Sequence, residues 1–262
     1  MGEKYSHSEI SMIGRLYVIG VGPGDPELLT LKGFRILREV SCICVPKGRE
    51  DGSSLALSIV QKVMNLDNKE IIEAYFPMRK TKQPQVAKAD PSIVTSEFQA
   101  SELDMRWQET IETICTRLNK GIDIAFITIG DPTIYSTFFY LYDKLLELNP
   151  ELRIEIIPGV SSINASAAKA DISLGLADEK IAILPATYTD NIKDVLDRFD
   201  TIVLMKVHRV FDKVLNILDE MNLTDNAVYV LRAGMDGEKI FKNIRDVKES
   251  DLDYFSLVII KK

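Results

Sequence analysis

Between residues 15 and 170, short β-rich apolar runs alternate five times with stretches of helical character, and each run meets a proline or glycine turn close to its end. No other property of the chain narrows its fold so far. Strands separated by helices pair in parallel, and a parallel sheet needs helices on both faces. The runs are 15–21, 42–45, 70–76, 122–129 and 153–157. Helices are expected up to about Glu39, over 55–64, up to Gly121, over 133–148 and over 161–170. The first is read from Leu31, Phe34 and Leu37, three apart. The third is read from Trp107, Ile111, Ile114 and Leu118, at spacings of four, three and four.

The second half has a different rhythm. Residues 171–179 read as a linker, and strands recur at 181–184, 201–205, 227–231, 240–243 and 254–260, with helices at 191–199 and 210–221. No helix separates the last strands, which predicts an antiparallel edge. The expected architecture is therefore α/β, in two domains. A tail covers 1–14, a mainly parallel five-stranded sheet covers 15–172, and a mixed sheet covers 178–262. Residues 80–91 lack periodicity and carry two prolines, so they read equally as a mobile lid or as a solvated insertion.

Composition excludes several classes of function. The chain has 262 residues, 46 % apolar and 27 % charged, and 32 basic against 39 acidic residues give a net charge of −7. An acidic protein offers no field that gathers phosphate backbones, so nucleic acid is not expected as a partner. Cys42 and Cys44 lie two apart in an apolar run and read as core, and Cys115 makes the set odd, so no disulfide framework is expected. With His7 and His208 the only histidines, no metal site is expected. The polar start lacks a signal-peptide core, and no run approaches the ~18 apolar residues of a membrane span. The expected compartment is the cytoplasm, without a membrane partner.

Ligands of open α/β sheets bind beyond the carboxyl ends of strands. Three loops have that position: Gly20-Val21-Gly22-Pro23-Gly24-Asp25, Gly130-Asp131-Pro132 and Pro158-Gly159-Val160-Ser161-Ser162. Taken singly, the first reads as a tight turn with Asp25 capping a helix, and Ser161 or Ser162 as an N-cap. The first loop also departs from the dinucleotide fingerprint, and Asp25 would repel a pyrophosphate, which places a nicotinamide dehydrogenase last among the alternatives.

Taken together and in order, GVGPGDPELLTLKG, TIGDPTIYS and IIPGVSSINASAA resemble the three signature segments of the tetrapyrrole (precorrin) methyltransferases. Leu204-Met205-Lys206 and Arg232-Ala233-Gly234 extend the resemblance to the C-terminal half. It implies two α/β domains with a cleft between them, S-adenosylmethionine as methyl donor folded into that cleft, a tetrapyrrole substrate and a homodimer. Carried over position by position, it places the donor at Pro23, Gly130, Asp131, Ile134, Tyr135, Ser161, Ser162, Met205 and Ala233. Ile134 and Met205 would be apolar walls; Asp131 and the serines would be hydrogen-bond partners. Residues 130–137, followed by Tyr140-Leu141, resemble the branch acting at C-20 of precorrin-2 or its cobalt form, as does the Lys47-Gly48-Arg49 segment.

The chemistry is an in-line displacement at a methyl group, so alignment in a dry cleft matters more than a strong base. C-20 must later lose its proton, and Asp25 is the candidate acceptor, with helix capping as an equal reading. A polycarboxylate substrate asks an acidic protein to concentrate its cations. Lys47, Arg49, Arg79, Lys80, Lys206, His208, Arg209 and Arg232 are the candidates, each alone being more ordinary as a solvated charge. A non-catalytic tetrapyrrole-binding protein and a related methyltransferase acting elsewhere remain the alternatives.

Overall fold

The computed structural model describes residues 13–47, 52–75, 102–188 and 192–262. The 80–91 segment, Gly48, Arg49, Arg79, Lys80, His7 and nearly all of the tail lie outside the described residues. The chain forms two compact units. One takes in Thr30–Gly159 with the chain up to Val21; the other takes in Gly22–Leu29 with Val160–Lys262.

The first unit is built on β1 (Leu16–Gly20), β2 (Cys42–Lys47), β3 (Glu70–Tyr75), β4 (Ile124–Thr128) and β5 (Ile154–Ile157). All pair in parallel, in the order β3-β2-β4-β1-β5. Every residue of β4 is buried, as an inner strand covered on both faces must be. Alternation divides the side chains between the faces. Leu16, Val18, Cys42, Cys44, Ile124 and Phe126 share one cluster with α3 (Glu102–Leu118) and α4 (Phe139–Leu148). Here α3 contributes Ile111, Ile114 and Leu118, the stripe read from the sequence. The helices α1 (Leu31–Glu39) and α2 (Leu55–Gln61) lie against β1, β2 and β4. Both sequence cysteines of β2 are fully buried, and burial pushes the Cys42 thiol up to about 11.

Two expectations need correction here. The buried face of α1 is Gly33, Ile36 and Leu37, continued by Val40, while Leu31 is 88 % exposed. The i, i+3, i+4, i+7 set defines the stripe, and a spacing of three alone drifts off it. The helix expected over 133–148 begins only at Phe139. Residues 131–138 form turns instead, because Gly130 and Tyr135 take positive φ (70° and 53°) and local side chains capture the backbone.

In the second unit, β6 (Ile181–Pro185), β7 (Thr201–Met205), β8 (Ala227–Leu231), β9 (Lys239–Phe241) and β10 (Ser256–Lys261) run in the order β6-β7-β10-β8-β9. β6 and β7 are parallel, and β10 and β9 pair antiparallel to their neighbours, as the missing helices predict. One face is covered by α6 (Ile192–Arg198) and α7 (Phe211–Glu220) around Tyr229 and Phe211. On this sheet α5 (Ser162–Lys169) lies against β10. Among the described residues no helix is long and apolar enough to cross a membrane.

Candidate functional site

In the first unit, the ends of β1, β4 and β5 converge because glycine stands at each. A Cβ on Gly20 would lie 2.5 Å from the Gly130 carbonyl oxygen and 2.7 Å from the Gly159 nitrogen. A Cβ on Gly159 would lie 2.3 Å from the same Gly130 oxygen. These separations are below any real contact, so the three backbones touch only because no side chain intervenes.

Asp131 fastens the arrangement. Its Oδ2 accepts the Gly159 N–H at 3.0 Å, and its Oδ1 accepts the Thr133 N–H at 2.7 Å and the Thr133 hydroxyl. Both carboxylate oxygens thus accept from the protein, and one of them joins the β4 loop to the β5 loop across β1. The sequence reading takes Asp131 as a hydrogen-bond partner of the donor; in the structure its carboxylate clamps the two loops together. Beyond Asp131, the Ser136 hydroxyl accepts the Phe138 N–H at 3.2 Å, which closes the turn before α4. Tyr135 is half exposed in a left-handed conformation that is costly for a bulky residue. Partial burial raises its pKa, so it stays a phenol at neutral pH. Thr133, Tyr135, Ser136, Phe139 and Tyr140 line a shallow pocket on this surface.

The second unit holds the remaining candidates. Pro23 and Gly24 are buried, and a Cβ on Gly24 would meet the Gly234 carbonyl oxygen at 2.7 Å, so the loop after β1 and the loop after β8 lie backbone against backbone. Ala233, 6 % exposed, sits in that contact region. Asp25 Oδ1 accepts the Glu27 N–H at 2.9 Å and caps a short 3-10 turn, so the capping role considered for it is present. Ser161 caps α5 by accepting the Asn164 N–H at 3.3 Å, and it donates to Asn164 Oδ1 at 2.7 Å. Met205 ends β7, half buried, and Ser162 opens α5, half buried.

Of the basic candidates, Lys47 pairs with Glu73 at 2.9 Å from one strand to the next, with its side chain 13 % exposed. Lys206, His208, Arg209 and Arg232 all lie just past β7 or β8. The sequence reading missed the glycine convergence of Gly20, Gly130 and Gly159; its signal, a glycine at three strand ends, is in the sequence, but which strands adjoin is not.

Comparison with known proteins identifies the family and the fold. A family model for the Tetrapyrrole (Corrin/Porphyrin) Methylases matches residues 15–247. The chain is 36 % identical to a probable cobalt-precorrin-2 C(20)-methyltransferase of Methanocaldococcus jannaschii, over 96 % of this chain and 97 % of that one. It is 31 % identical to the cobalt-precorrin-2 C(20)-methyltransferase of Salmonella typhimurium, over 96 % and 98 %. Among solved structures, a cobalt precorrin-4 methyltransferase superposes with a TM-score of 0.69 at 21 % identity, covering 94 % of each chain, which establishes the fold. A uroporphyrin-III C-methyl transferase from Thermus thermophilus, complexed with S-adenyl homocysteine, superposes with a TM-score of 0.60 at 19 % identity, over 95 % of this chain and 98 % of that one.

Proposed function

Because this chain belongs to the tetrapyrrole (corrin/porphyrin) methylases, we propose that it moves a methyl group from S-adenosylmethionine to C-20 of precorrin-2 or cobalt-precorrin-2, a step of corrin-ring (cobalamin) biosynthesis. One observation carries the choice of carbon: the two relatives named for C-20 transfer are matched along nearly their whole length. Cobalt, where present, belongs to the substrate.

The residues suit the donor. Its adenosine and thioether need apolar walls, which half-buried Ile134 and Met205 offer, and its polar ends need hydroxyls and backbone groups, which Ser162 and the loops at Pro23, Gly130, Tyr135 and Ala233 offer. Asp131 and Ser161 also hold those loops, and their oxygens keep lone pairs with which to accept hydrogen bonds from the donor. When bound, the donor supplies an electrophilic methyl on a sulfonium sulfur. The glycine-packed loops fix the position of that methyl, and a rigid site is what alignment requires. Asp25 accepts the proton that C-20 gives up once the new carbon–carbon bond has formed. The enzyme works as a homodimer in the cytoplasm, and light scattering at twice the chain mass is the expected result for the dimer.

Incubation of the protein with carbon-13 methyl donor and either precorrin-2 or its cobalt form tests the reading. Carbon NMR is expected to place the label at C-20. Label on another carbon, or methylation of uroporphyrinogen III itself, overturns it.

A further inference from the structure

The sheet of the second unit has one edge where β7 and β8 finish and β10 starts, because Met205 pairs with Leu257 and Leu231 with Ser256. The residues that leave this edge are unusual. Lys206 follows β7 at φ 59° and Arg232 follows β8 at φ 53°, both in the left-handed region that long side chains avoid. His208 and Arg209 come next in a single 3-10 turn, and Asp253 and Tyr254 lead into β10. The Arg232 N–H is bonded to the Phe255 carbonyl at 2.7 Å, which fixes the turn.

The charges here do not close on themselves. Arg232 Nη1 stands 3.6 Å from Asp253 Oδ2, within ion-pair range but too far for a hydrogen bond. Asp253 spends its Oδ1 on the Phe255 N–H at 2.8 Å. Arg209 is exposed and pairs with no carboxylate among the described residues. Two side-chain nitrogens at this edge, Arg232 Nε and His208 Nδ1, are closed off from solvent and lack a hydrogen-bond partner. An unpartnered guanidinium N–H is costly, because that group cannot lose its charge. The His208 ring lies edge-on to Tyr254, with centroids 5.8 Å apart. Desolvation, with Arg209 adding to it and Asp253 opposing it, holds the His208 pKa below its ordinary value, so the ring is neutral at pH 7.

We propose that Arg209, Arg232 and His208 form a carboxylate-binding subsite at this sheet edge. The guanidinium fork matches a carboxylate in two parallel hydrogen bonds. The Arg232 side chain is 39 % exposed although its Nε is closed off, so an anion reaches the guanidinium from its outer side. Resting on the proposed function, the carboxylate comes from the rim of the tetrapyrrole; the other source of the same chemistry is the amino-acid end of the methyl donor.

Two variants and one spectroscopic signal test this. Arg232→Asn keeps a residue that tolerates left-handed backbone, and Arg209→Gln changes an exposed position, so both are expected to fold. Each should weaken binding of uroporphyrin III, a stable polycarboxylate tetrapyrrole, about tenfold or more, while S-adenosylhomocysteine affinity stays within twofold. A loss confined to S-adenosylhomocysteine would keep the subsite but assign it to the methyl donor. In the wild type, the Arg232 Nε–H resonance should move downfield when uroporphyrin III or citrate is added. If that signal moves while no methyl transfer occurs, the subsite stands and the proposed function fails. If methyl transfer proceeds, the signal stays still with every carboxylate and both variants bind as the wild type does, the subsite is overturned and the function stands.

Discussion

Asp131 ties together two of the loops proposed to hold the donor. Removing its carboxylate strands the Gly159 N–H and frees the β4 loop from the β5 loop. A part-buried donor left without its charged acceptor costs about 1–3 kcal/mol. Asp131→Ala should therefore lower the melting temperature by several degrees and weaken S-adenosylhomocysteine binding in calorimetry together. Asp131→Asn, which retains one acceptor oxygen, should recover part of both. Unchanged melting with lost binding would mean that Asp131 meets the ligand directly. Asp25 presents the opposite case, because its cap can be kept while its basicity is removed. Asparagine caps as well as aspartate does. Asp25→Asn should leave melting and donor affinity unchanged and reduce methyl transfer by about a hundredfold or more, the usual weight of a general base. Full turnover in that variant would place the proton acceptor elsewhere.

At the level of elements, the site depends on strand ends that touch. Gly159→Ala puts a methyl 2.3 Å from the Gly130 carbonyl oxygen, with backbone on both sides and no flexible side chain to yield. The loops must part, so the variant should lose donor affinity by more than tenfold and stability by about 1–3 kcal/mol, the usual overpacking cost. Titration calorimetry and denaturant melts read the two effects; wild-type values in both would show that the contact is not needed. How much of this was visible beforehand follows from the kind of signal each element carries. The strands and α3 were legible because buried strands are continuous apolar runs and the stripe of Ile111, Ile114 and Leu118 is periodic. The turn at 133–138 was not, since its conformation is set by Asp131 and Ser136 bonding to backbone nitrogens and by a left-handed Tyr135, none of which alters periodicity. The candidate loops could be read from their Gly-Asp-Pro and Pro-Gly punctuation. Their mutual contacts could not, because the order β4-β1-β5 is a property of the assembled sheet.

Over the whole molecule, pH acts through groups whose protonation differs between folded and unfolded chain. Among the described residues, three carboxylates are held below their ordinary range: Glu155 by Lys32 and then Arg15, Glu179 by Lys261 and the Leu176 N–H, and Asp251 by Lys239. A carboxyl with a lowered folded pKa contributes stability that is complete above its unfolded value, about 4, and is lost as pH falls through the folded value. His208, lowered by burial, contributes in the same sense from about 6.5 downward. On the alkaline side, burial raises Cys42 to about 11, so its contribution is complete below the ordinary thiol value and lost as pH climbs toward the folded one. Stability should therefore form a plateau between about pH 7 and 8.5, and should not peak at the pI of 5.1. Lys261 offers a direct check, since its Nζ binds Glu179 Oε2 and the Ser173 carbonyl, each at 2.8 Å, and so ties the 173–179 stretch to β10. Lys261→Met releases Glu179, whose pKa then rises toward its unfolded value. The variant should melt below the wild type at pH 7, and the gap should narrow as pH drops past 4, where Glu179 is protonated in both proteins. A gap that stays constant from pH 7 to pH 3 would show that Lys261 acts through the Ser173 carbonyl alone.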